Sequence, residues 1–384
     1  MRIVIAPDSF KESLSAIEVA RAMADGVFAA RADAVVDLCP MADGGEGTVA
    51  AMVAATGGRV VEVEVAGPLG EPVRAEYGLL GRSGSTGGAL TAVIEMAAAS
   101  GLHLVPPDRR DPMRTTTYGT GELVRAALDA GVTGILVGIG GSATVDGGCG
   151  CAQALGVAFT DAASVPCVCG LAGGGLRDVR RIDLAVRDPR IASTRIRVAC
   201  DVTNPLTGPN GAAAVYGPQK GATPEMVERL EAGLAHLANT IRDELGIDVE
   251  HLPGAGAAGG LGAGLVAFLG AELRRGVEIV ADAVGLRRRL DGADLCITGE
   301  GRFDAQSLSG KTAVGVARVA GEVGTPVVCV AGQAEDGADD GGLFHVVSSL
   351  VADEVTVEDA MARPRELLVL RTRQAVEGFV ASRG

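Results

Sequence analysis

The hydrophobic and polar positions of this chain form short apolar runs that alternate with stretches of helical period. Residues 2–6 are an apolar run ending at Pro7, which is typical of a buried strand. Ser15-Ala-Ile-Glu18 is a capping box and predicts a helix to about residue 29. Thr223-Pro224 opens the longest predicted helix, which runs to about residue 245. Further strands are predicted at residues 34–38, 134–138, 197–200, 294–298, 326–330 and 343–350, and further helices at residues 47–55, 119–130, 147–155, 311–320 and 365–381.

This alternation predicts an α/β fold with a mainly parallel sheet. It is interrupted once, because residues 59–65 and 73–79 alternate apolar and polar positions around Gly67-Pro68 and therefore predict a hairpin. The strand–helix alternation resumes near residue 290. The length of 384 residues suggests two or three domains, but no long linker marks a boundary.

Composition and charge limit the binding partners and the cellular location that we expect for this protein. A net charge of −14 argues against nucleic acid and anionic membranes as partners, and an anionic small ligand would need local positive groups or a bound cation. The start of the chain lacks a signal-peptide pattern, and glycines interrupt the apolar stretch 254–273, so we expect packed loop and helix there instead of a membrane span. The eight scattered cysteines suit reduced thiols. We therefore expect a cytoplasmic protein.

Lysine is rare in this chain and is found only in loop-like sequences. Of the 34 basic residues, only Lys11, Lys220 and Lys311 are lysines. Lysine carries a compact charge on a flexible stem, whereas arginine is a planar fork. A site that needs a point charge on a phosphate or carboxylate oxygen cannot always accept the fork. We therefore expect at least two of the three lysines to be functional.

Five loops that follow predicted strands carry acids, hydroxyls and glycines, and loops at this edge of a parallel sheet bind ligands. These loops contain Asp8, Ser9 and Lys11; residues 43–47; residues 138–144; Asp201 and Asn204; and Glu300, Arg302 and Asp304. The residue types suit phosphoryl transfer. Carboxylates hold Mg²⁺ or accept a hydroxyl proton, and a glycine loop before a helix cradles phosphates. Lysines neutralise the charge that develops at the reacting centre.

Two nucleotide-binding patterns are incomplete or weak. Gly310-Lys311-Thr312 looks like the tail of a P-loop, but the first glycine of that motif is replaced by Ala305. Gly138-x-Gly140-x-x-Ala143 follows a strand, with Asp161 at about the right distance for a ribose contact, so an NAD-dependent oxidoreductase remains an alternative. The four histidines do not neighbour serine or cysteine in a nucleophile pattern, which disfavours a hydrolase triad.

The loops taken together resemble those of the bacterial glycerate kinases of the first type, over essentially the whole chain. The markers are Ile5-Ala-Pro-Asp-Ser-Phe-Lys11, Met41-Ala-Asp-Gly-Gly-Glu-Gly-Thr48, Thr117-Tyr-Gly-Thr-Gly-Glu-Leu123, Gly138-Ile-Gly-Gly-Ser-Ala-Thr144, Asp201-Val-Thr-Asn-Pro205, Gly217-Pro-Gln-Lys-Gly-Ala222, and Thr298-Gly-Glu-Gly-Arg-Phe-Asp304 followed by Ser309-Gly-Lys311. Glu12 and Val145 depart from the residues that are commoner in the family, and neither change removes a candidate charge.

The resemblance implies ATP-dependent phosphorylation of D-glycerate at its 2-hydroxyl, which gives 2-phosphoglycerate. It also implies two α/β domains with the active-site cleft between them. One is a discontinuous, flavodoxin-like domain of residues 1–60 and 290–384, and the other is an inserted α/β domain of residues 61–289. A kinase that forms 3-phosphoglycerate and a non-catalytic sugar-acid sensor are further alternatives, and a homodimer is one assembly state that we consider.

The places of the candidate residues at the strand ends suggest a role for each. Lys11 and Arg302 are expected to bind the glycerate carboxylate, with Ser9 and Asn204 also contacting the substrate. Asp8, Asp201 or Asp304 would orient or deprotonate the hydroxyl. Asp43 and Glu300 are candidates for Mg²⁺, and Gly140, Gly141, Ser142 and Lys311 for the ATP phosphates.

Overall fold

The computed structural model describes residues 1–81, 90–304, 311–335, 341–352 and 355–383. The strands are β1 Arg2–Ile5, β2 Val35–Leu38, β3 Arg59–Ala66, β4 Pro72–Leu79, β5 Thr91–Glu95, β6 Gly134–Gly138, β7 Ala158–Thr160, β8 Arg181–Asp183, β9 Arg195–Ala199, β10 Glu272–Arg274, β11 Leu295–Thr298, β12 Arg302–Phe303, β13 Val327–Ala331, β14 Gln333–Ala334 and β15 Val346–Ser349. The α-helices are α1 Ala16–Ala30, α2 Thr48–Thr56, α3 Ala97–Ser100, α4 Tyr118–Asp129, α5 Cys149–Ala154, α6 Ala212–Tyr216, α7 Pro224–Leu245, α8 Ala257–Leu269, α9 Gly276–Val284, α10 Leu286–Leu290, α11 Thr312–Glu322, α12 Val357–Ala362 and α13 Pro364–Ala381. Short 3₁₀ helices cover Leu102–Leu104, Pro107–Arg109, Gly173–Asp178, Pro189–Ser193 and Pro218–Lys220.

The first sheet is parallel throughout and has the strand order β15-β13-β11-β1-β2. In its centre, Ile3 of β1 pairs with Leu295 of β11 and with Val36 of β2. Successive residues of β1 face opposite sides, since Ile3 and Ile5 are buried with α1 and α13, whereas Val4 is buried with α9, α10 and α11. Helices therefore cover both faces of this sheet, as the predicted α/β class requires.

The second sheet has the order β10-β9-β6-β5-β4-β3. Strands β10, β9, β6 and β5 are parallel, and β4 and β3 continue the sheet in antiparallel fashion. The predicted hairpin is confirmed, with Arg59 paired to Leu79 at its open end and Ala66 paired to Pro72 beside the turn. A mixed sheet of this kind forms because β3 and β4 are joined by a short turn, whereas parallel neighbours need a longer crossover.

The strands of the first sheet come from both ends of the chain, and those of the second come from between them. The division into domains at residues 60 and 290 stays a prediction. Helices α9 and α10 lie in a hydrophobic cluster that also contains Val4 of the first sheet and Val93 and Leu136 of the second. The cluster is therefore shared by the two sheets.

The strongest local signals in the sequence produce the expected helices. Ser15 caps α1, and its partner Glu18 completes the capping box. Thr223 caps α7, with Pro224 in the first turn. The stretch 254–273 forms α8 and β10, and Ala258, Gly259 and Gly260 have left-handed backbone conformations near the start of α8. Within the described ranges, every helix is too short or too polar to span a lipid bilayer.

Candidate active site

The loops that follow β2, β6 and β9 meet around a cavity of about 430 Å³. Asp43 enters from the first sheet, and residues 140–142 and Asp201 enter from the second. The backbones approach closely here, because a side-chain carbon at Gly138 would lie 2.3 Å from the carbonyl oxygen of Gly44. Glycine at this position therefore allows the ends of the two sheets to meet.

Asp8 is a candidate acid whose carboxylate accepts two hydrogen bonds. It follows β1, and Oδ2 accepts a 2.5 Å hydrogen bond from Thr312 Oγ1, at the start of α11. Oδ1 accepts a 2.6 Å hydrogen bond from the backbone N–H of Ser9. Burial, and then the negative charge of Asp43, raise the pKa of Asp8 to about 6, while the hydrogen bonds and Lys11 act in the opposite direction. Asp8 is therefore a stronger base than an ordinary aspartate, but is still mostly ionised at neutral pH.

Asp201 is a second carboxylate with a raised pKa. Its Oδ1 accepts a 2.9 Å hydrogen bond from the backbone N–H of Gly276, the first residue of α9. Although Asp201 as a residue is exposed, burial of its carboxylate and the nearby charge of Asp43 raise its pKa to about 6. Asp43 thus interacts electrostatically with both Asp8 and Asp201, and these three acids form one negatively charged group.

Gly276 allows this group to assemble. A side-chain carbon at this position would lie 1.7 Å from the backbone oxygen of Asp43 and 3.0 Å from Oδ2 of Asp201. The first distance is far below any van der Waals contact, so only glycine fits without a backbone shift. The start of α9 therefore packs directly between two of the acids.

The glycine loop after β6 is held in place by its neighbours. The carbonyl oxygen of Gly141 accepts a 2.8 Å hydrogen bond from the backbone N–H of Leu102. The carbonyl oxygen of Ala143 accepts one of 2.8 Å from Thr115 Oγ1. Ser142 Oγ accepts one of 2.7 Å from the buried ammonium of Lys220. The loop has a defined shape, with Gly140, Gly141 and Ser142 at the cavity.

A second charged group lies after β11. Arg302 Nε is 3.4 Å from Asp304 Oδ2, and Lys311 Nζ is 3.7 Å from Asp304 Oδ1. Arg302 also donates a 2.8 Å hydrogen bond to Glu335. This group approaches the Asp8 loop, because a side-chain carbon at Gly301 would lie 3.4 Å from the backbone N of Lys11. Glu300 is buried beside it.

Five of the predicted site residues line the cavity: Asp43, Gly140, Gly141, Ser142 and Asp201. The other predicted residues are not among the described residues that line it: Asp8, Ser9, Lys11, Asn204, Glu300, Arg302, Asp304 and Lys311. Lys311, expected at the ATP phosphates, pairs with Asp304 and is not among the described residues that line the cavity. Asn204, expected at the substrate, hydrogen-bonds Tyr216 Oη at 2.7 Å and the carbonyl oxygen of Asn210 at 2.8 Å. Tyr216 lines the cavity, so Asn204 supports a wall residue. Their roles toward ligands stay predictions.

The structure does not support the dinucleotide-binding alternative. In that motif the glycine loop opens directly into a helix, whereas here α5 begins only at Cys149. The Asp161 carboxylate accepts hydrogen bonds of 2.8 and 2.9 Å from the backbone N–H groups of Ala163 and Val165, and so stabilises its own turn.

Thr312, Tyr216 and Gly276 were not predicted as site residues. Lys220 was singled out by its rarity, but no role was predicted for it. Thr312 follows Lys311 directly, and that position was an available signal. No local pattern marks Gly276, because its importance comes from close approach to distant residues.

A magnesium ion suits the chemistry of this donor set. Across the described residues, His, Cys, Asp and Glu side chains nowhere gather in threes in a way that could hold a metal ion. Mg²⁺ is usually bound by one or two carboxylates together with water and substrate phosphates. A single carboxylate such as Asp43, which lines the same cavity as the glycine loop, fits that mode of binding.

The fold and the site define an α/β protein with a cavity lined by carboxylates and a glycine loop. The sequence profile of the glycerate kinase family matches residues 3–379. Glycerate 2-kinase of Escherichia coli K12 is 52% identical over 345 residues, covering 90% of this chain and 88% of that protein. Glycerate kinase of Halalkalibacterium halodurans is 50% identical, covering 95% of each.

A solved structure is similar over the whole length. The crystal structure of a protein assigned as glycerate kinase 2 from Salmonella typhimurium LT2 has a TM-score of 0.89 and 51% identity, and the match covers 100% of this chain and 99% of that one. This chain belongs to the glycerate kinase family, which confirms the resemblance carried by the strand-end loops.

Proposed function

We propose that this protein transfers the γ-phosphoryl group of ATP to the 2-hydroxyl of D-glycerate, giving 2-phosphoglycerate and ADP. The supporting observation is family membership over residues 3–379 combined with the charged and glycine-rich loops that follow strands of both sheets. The position of transfer follows the name of the Escherichia coli relative, a glycerate 2-kinase that is 52% identical.

Asp8 is the general base in this proposal. A catalytic base works best when its pKa lies near the working pH, and the pKa of Asp8 is raised to about 6 by burial and by Asp43. Two hydrogen-bond donors, Thr312 Oγ1 and the N–H of Ser9, fix the direction of the carboxylate. It accepts the proton of the 2-hydroxyl as the oxygen attacks the γ-phosphorus.

The glycerate carboxylate is assigned to Lys11 and Arg302. Lys11 is exposed and follows Asp8 by three residues, and Arg302 is 60% exposed at the second charged group. Both cations lie where the Asp8 loop meets the segment after β11, since Gly301 approaches the backbone of Lys11. Ser9 is assigned a hydrogen bond to the substrate beside them. These cations would locally offset the net charge of −14.

The nucleotide phosphates are assigned to residues 140–142, with Lys311 approaching the γ-phosphate from the Asp304 side. Asp43 is the residue that we expect to hold Mg²⁺, and Glu300 is the second candidate. The ion, when bound, would neutralise charge on the phosphate oxygens. Asp201 lines the same cavity, and its carboxylate accepts a hydrogen bond from the first residue of α9.

The test is ADP release from Mg-ATP and D-glycerate, with enolase alone as the reporter of the product. Enolase consumes 2-phosphoglycerate but not 3-phosphoglycerate, so a signal without added mutase supports transfer to the 2-hydroxyl. A signal that appears only after phosphoglycerate mutase is added would place the phosphate on the 3-hydroxyl. No ADP release above a blank without glycerate would overturn the proposal.

Two further properties belong to the proposal. We infer a cytoplasmic location, since none of the eight cysteines forms a disulfide and five of them are buried. Fractionation of the source cells tests this location. For the assembly state, multi-angle light scattering at micromolar concentration distinguishes a homodimer from a monomer of 38.5 kDa.

A further inference from the structure

Lys220 is a buried cation at the cavity. Only 2% of its surface is exposed, and it ends the short 3₁₀ turn Pro218–Lys220. Its ammonium donates hydrogen bonds of 2.7 Å to Ser142 Oγ and of 2.7 Å to the carbonyl oxygen of Thr144. Both acceptors belong to the glycine loop after β6. Lys220 therefore lies behind the loop to which the nucleotide phosphates were assigned.

No carboxylate in the described part of the chain forms an ion pair with this ammonium. The charged side chain that acts on the pKa of Lys220 is Asp146, which is itself fully buried. Oδ2 of Asp146 accepts hydrogen bonds from Thr117 Oγ1 and from the backbone N–H groups of Thr117 and Gly150, and Oδ1 accepts one from Gly148, at 2.7–3.3 Å. Neutral donors thus satisfy this carboxylate. A buried charge without a contacting counter-ion is costly, and proteins rarely keep one without a function.

An ammonium has three N–H donors, and the described residues account for two of those of Lys220. Lys220 also lines the cavity, together with Gly140, Gly141 and Ser142. An anion in this cavity would complete the hydrogen bonding of the ammonium and balance its charge. Burial lowers the pKa of Lys220 to about 7, and a bound anion would favour its charged form.

We propose that Lys220 is an anion-binding residue, and that its ligand is a phosphate group of the nucleotide held at residues 140–142. The assignment rests on the proposed function for the nature of the ligand. The ammonium acts in two ways: it holds Ser142 and Thr144, so that the loop keeps its shape, and it supplies positive charge to the phosphate oxygens from beneath the loop.

The choice of lysine supports this role. The chain uses 31 arginines and three lysines, yet the one basic side chain in this buried position is a lysine. Two acceptors at 2.7 Å within a closed space suit a compact ammonium, whereas a planar guanidinium is larger and carries its donors in a fixed fork.

The rarity of lysine makes a direct test feasible in the unaltered protein. Labelling with ¹³Cε-lysine gives three NMR signals, and the variants K11R and K311R identify two of them, which leaves the third for Lys220. Addition of ADP, and separately of inorganic phosphate, is expected to shift the Lys220 signal and to raise its titration midpoint. D-Glycerate alone is expected to leave the signal in place.

Each outcome of this experiment decides the proposal. Titration calorimetry run in parallel shows whether ADP binds. If ADP binds and the Lys220 signal is unmoved, Lys220 is not a phosphate ligand. A shift with D-glycerate and not with ADP or phosphate would assign the ammonium to a carboxylate and overturn the proposal. If the parent enzyme fails to phosphorylate glycerate but ADP still shifts the signal, the proposed function fails while the anion site stands.

Substitution provides a second test. K220M keeps the length of the side chain without the charge, and K220Q keeps a donor for the two loop acceptors. For K220Q we expect at least a tenfold rise in the KM for ATP, with less than a twofold change in the KM for D-glycerate. K220R is expected not to rescue binding. A folded K220Q or K220M with ADP affinity within twofold of the parent would contradict the proposal, and thermal unfolding identifies a variant that fails to fold.

Discussion

Thr312 Oγ1 donates a 2.5 Å hydrogen bond to Oδ2 of Asp8, a residue 304 positions earlier in the chain. The bond joins the loop after β1 to the start of α11. It also lowers the pKa of Asp8, in opposition to burial and Asp43, which together raise it to about 6. The proposed base is therefore tuned by a hydroxyl from the other end of the chain.

Removal of this hydroxyl should shift the pH dependence of turnover. In T312V the pKa of Asp8 loses a lowering interaction and rises above about 6, so the acid limb of kcat/KM moves to higher pH. Hydrogen bonds to charged groups suggest a shift of about one pH unit. T312S keeps the hydroxyl and should retain the parent profile. An unchanged acid limb in T312V would show that the ionisation of Asp8 does not control kcat/KM at low pH.

Neutralising Asp8 should abolish turnover and at the same time stabilise the fold. D8N is expected to lower kcat by about 10²–10⁴ if Asp8 is the base. The pKa of this carboxyl rises from its ordinary value of 3.8 to about 6 on folding, so its ionised form destabilises the native state. This destabilisation is absent below the unfolded value, grows between the two values and is complete above pH 6.

D8N should therefore gain stability at pH 8, by about 1–3 kcal/mol, and little at pH 4. Thermal unfolding at the two pH values measures the difference. D108N, at an exposed position, is the matched control and should leave turnover and stability unchanged. Equal melting temperatures for D8N and the parent at pH 8 would show that the buried, ionised carboxylate of Asp8 does not destabilise the native state.

A single methyl group at residue 276 should disrupt the acid group. In G276A the new carbon would clash with the backbone oxygen of Asp43, 1.7 Å away, so the start of α9 must move. Overpacking of this kind costs about 1–3 kcal/mol, and we expect kcat to fall because Asp43 and Asp201 move with it. G378A is the control, because the same substitution in α13 meets open space and should stabilise by about 0.5–1 kcal/mol. Normal turnover in G276A would show that the close packing of α9 against Asp43 is not needed for catalysis.

Lys311 should matter for catalysis but not for stability. K311A removes a partly exposed ammonium that lies 3.7 Å from Asp304. A half-exposed ion pair stabilises the fold by less than about 1 kcal/mol, so the melting temperature should hardly change. We expect kcat/KM for ATP to fall at least about tenfold, as for loss of one charge at a phosphoryl group. R74A, in an exposed ion pair on the β3–β4 hairpin, should leave both quantities unchanged.

Local signals in the sequence were enough for the elements whose formation depends on neighbouring residues. The Ser15 capping box and the Thr223-Pro224 start of α7 are confirmed, as is the hairpin of β3 and β4. Such signals act over a few residues, and they hold whatever the rest of the chain does. The ordered set of loop motifs was likewise sufficient for the family, because it is carried by consecutive residues.

Tertiary structure alone decided which residues meet. The contact of Thr312 with Asp8, the approach of Gly276 to Asp43 and the burial of Lys220 behind Ser142 join segments that are 78 to 304 positions apart. The sequence marks each residue's chemistry but not its distance from the others. That distance is set by the order of strands in the two sheets, which brings the loop ends together. The resulting burial then raises the pKa values of Asp8 and Asp201.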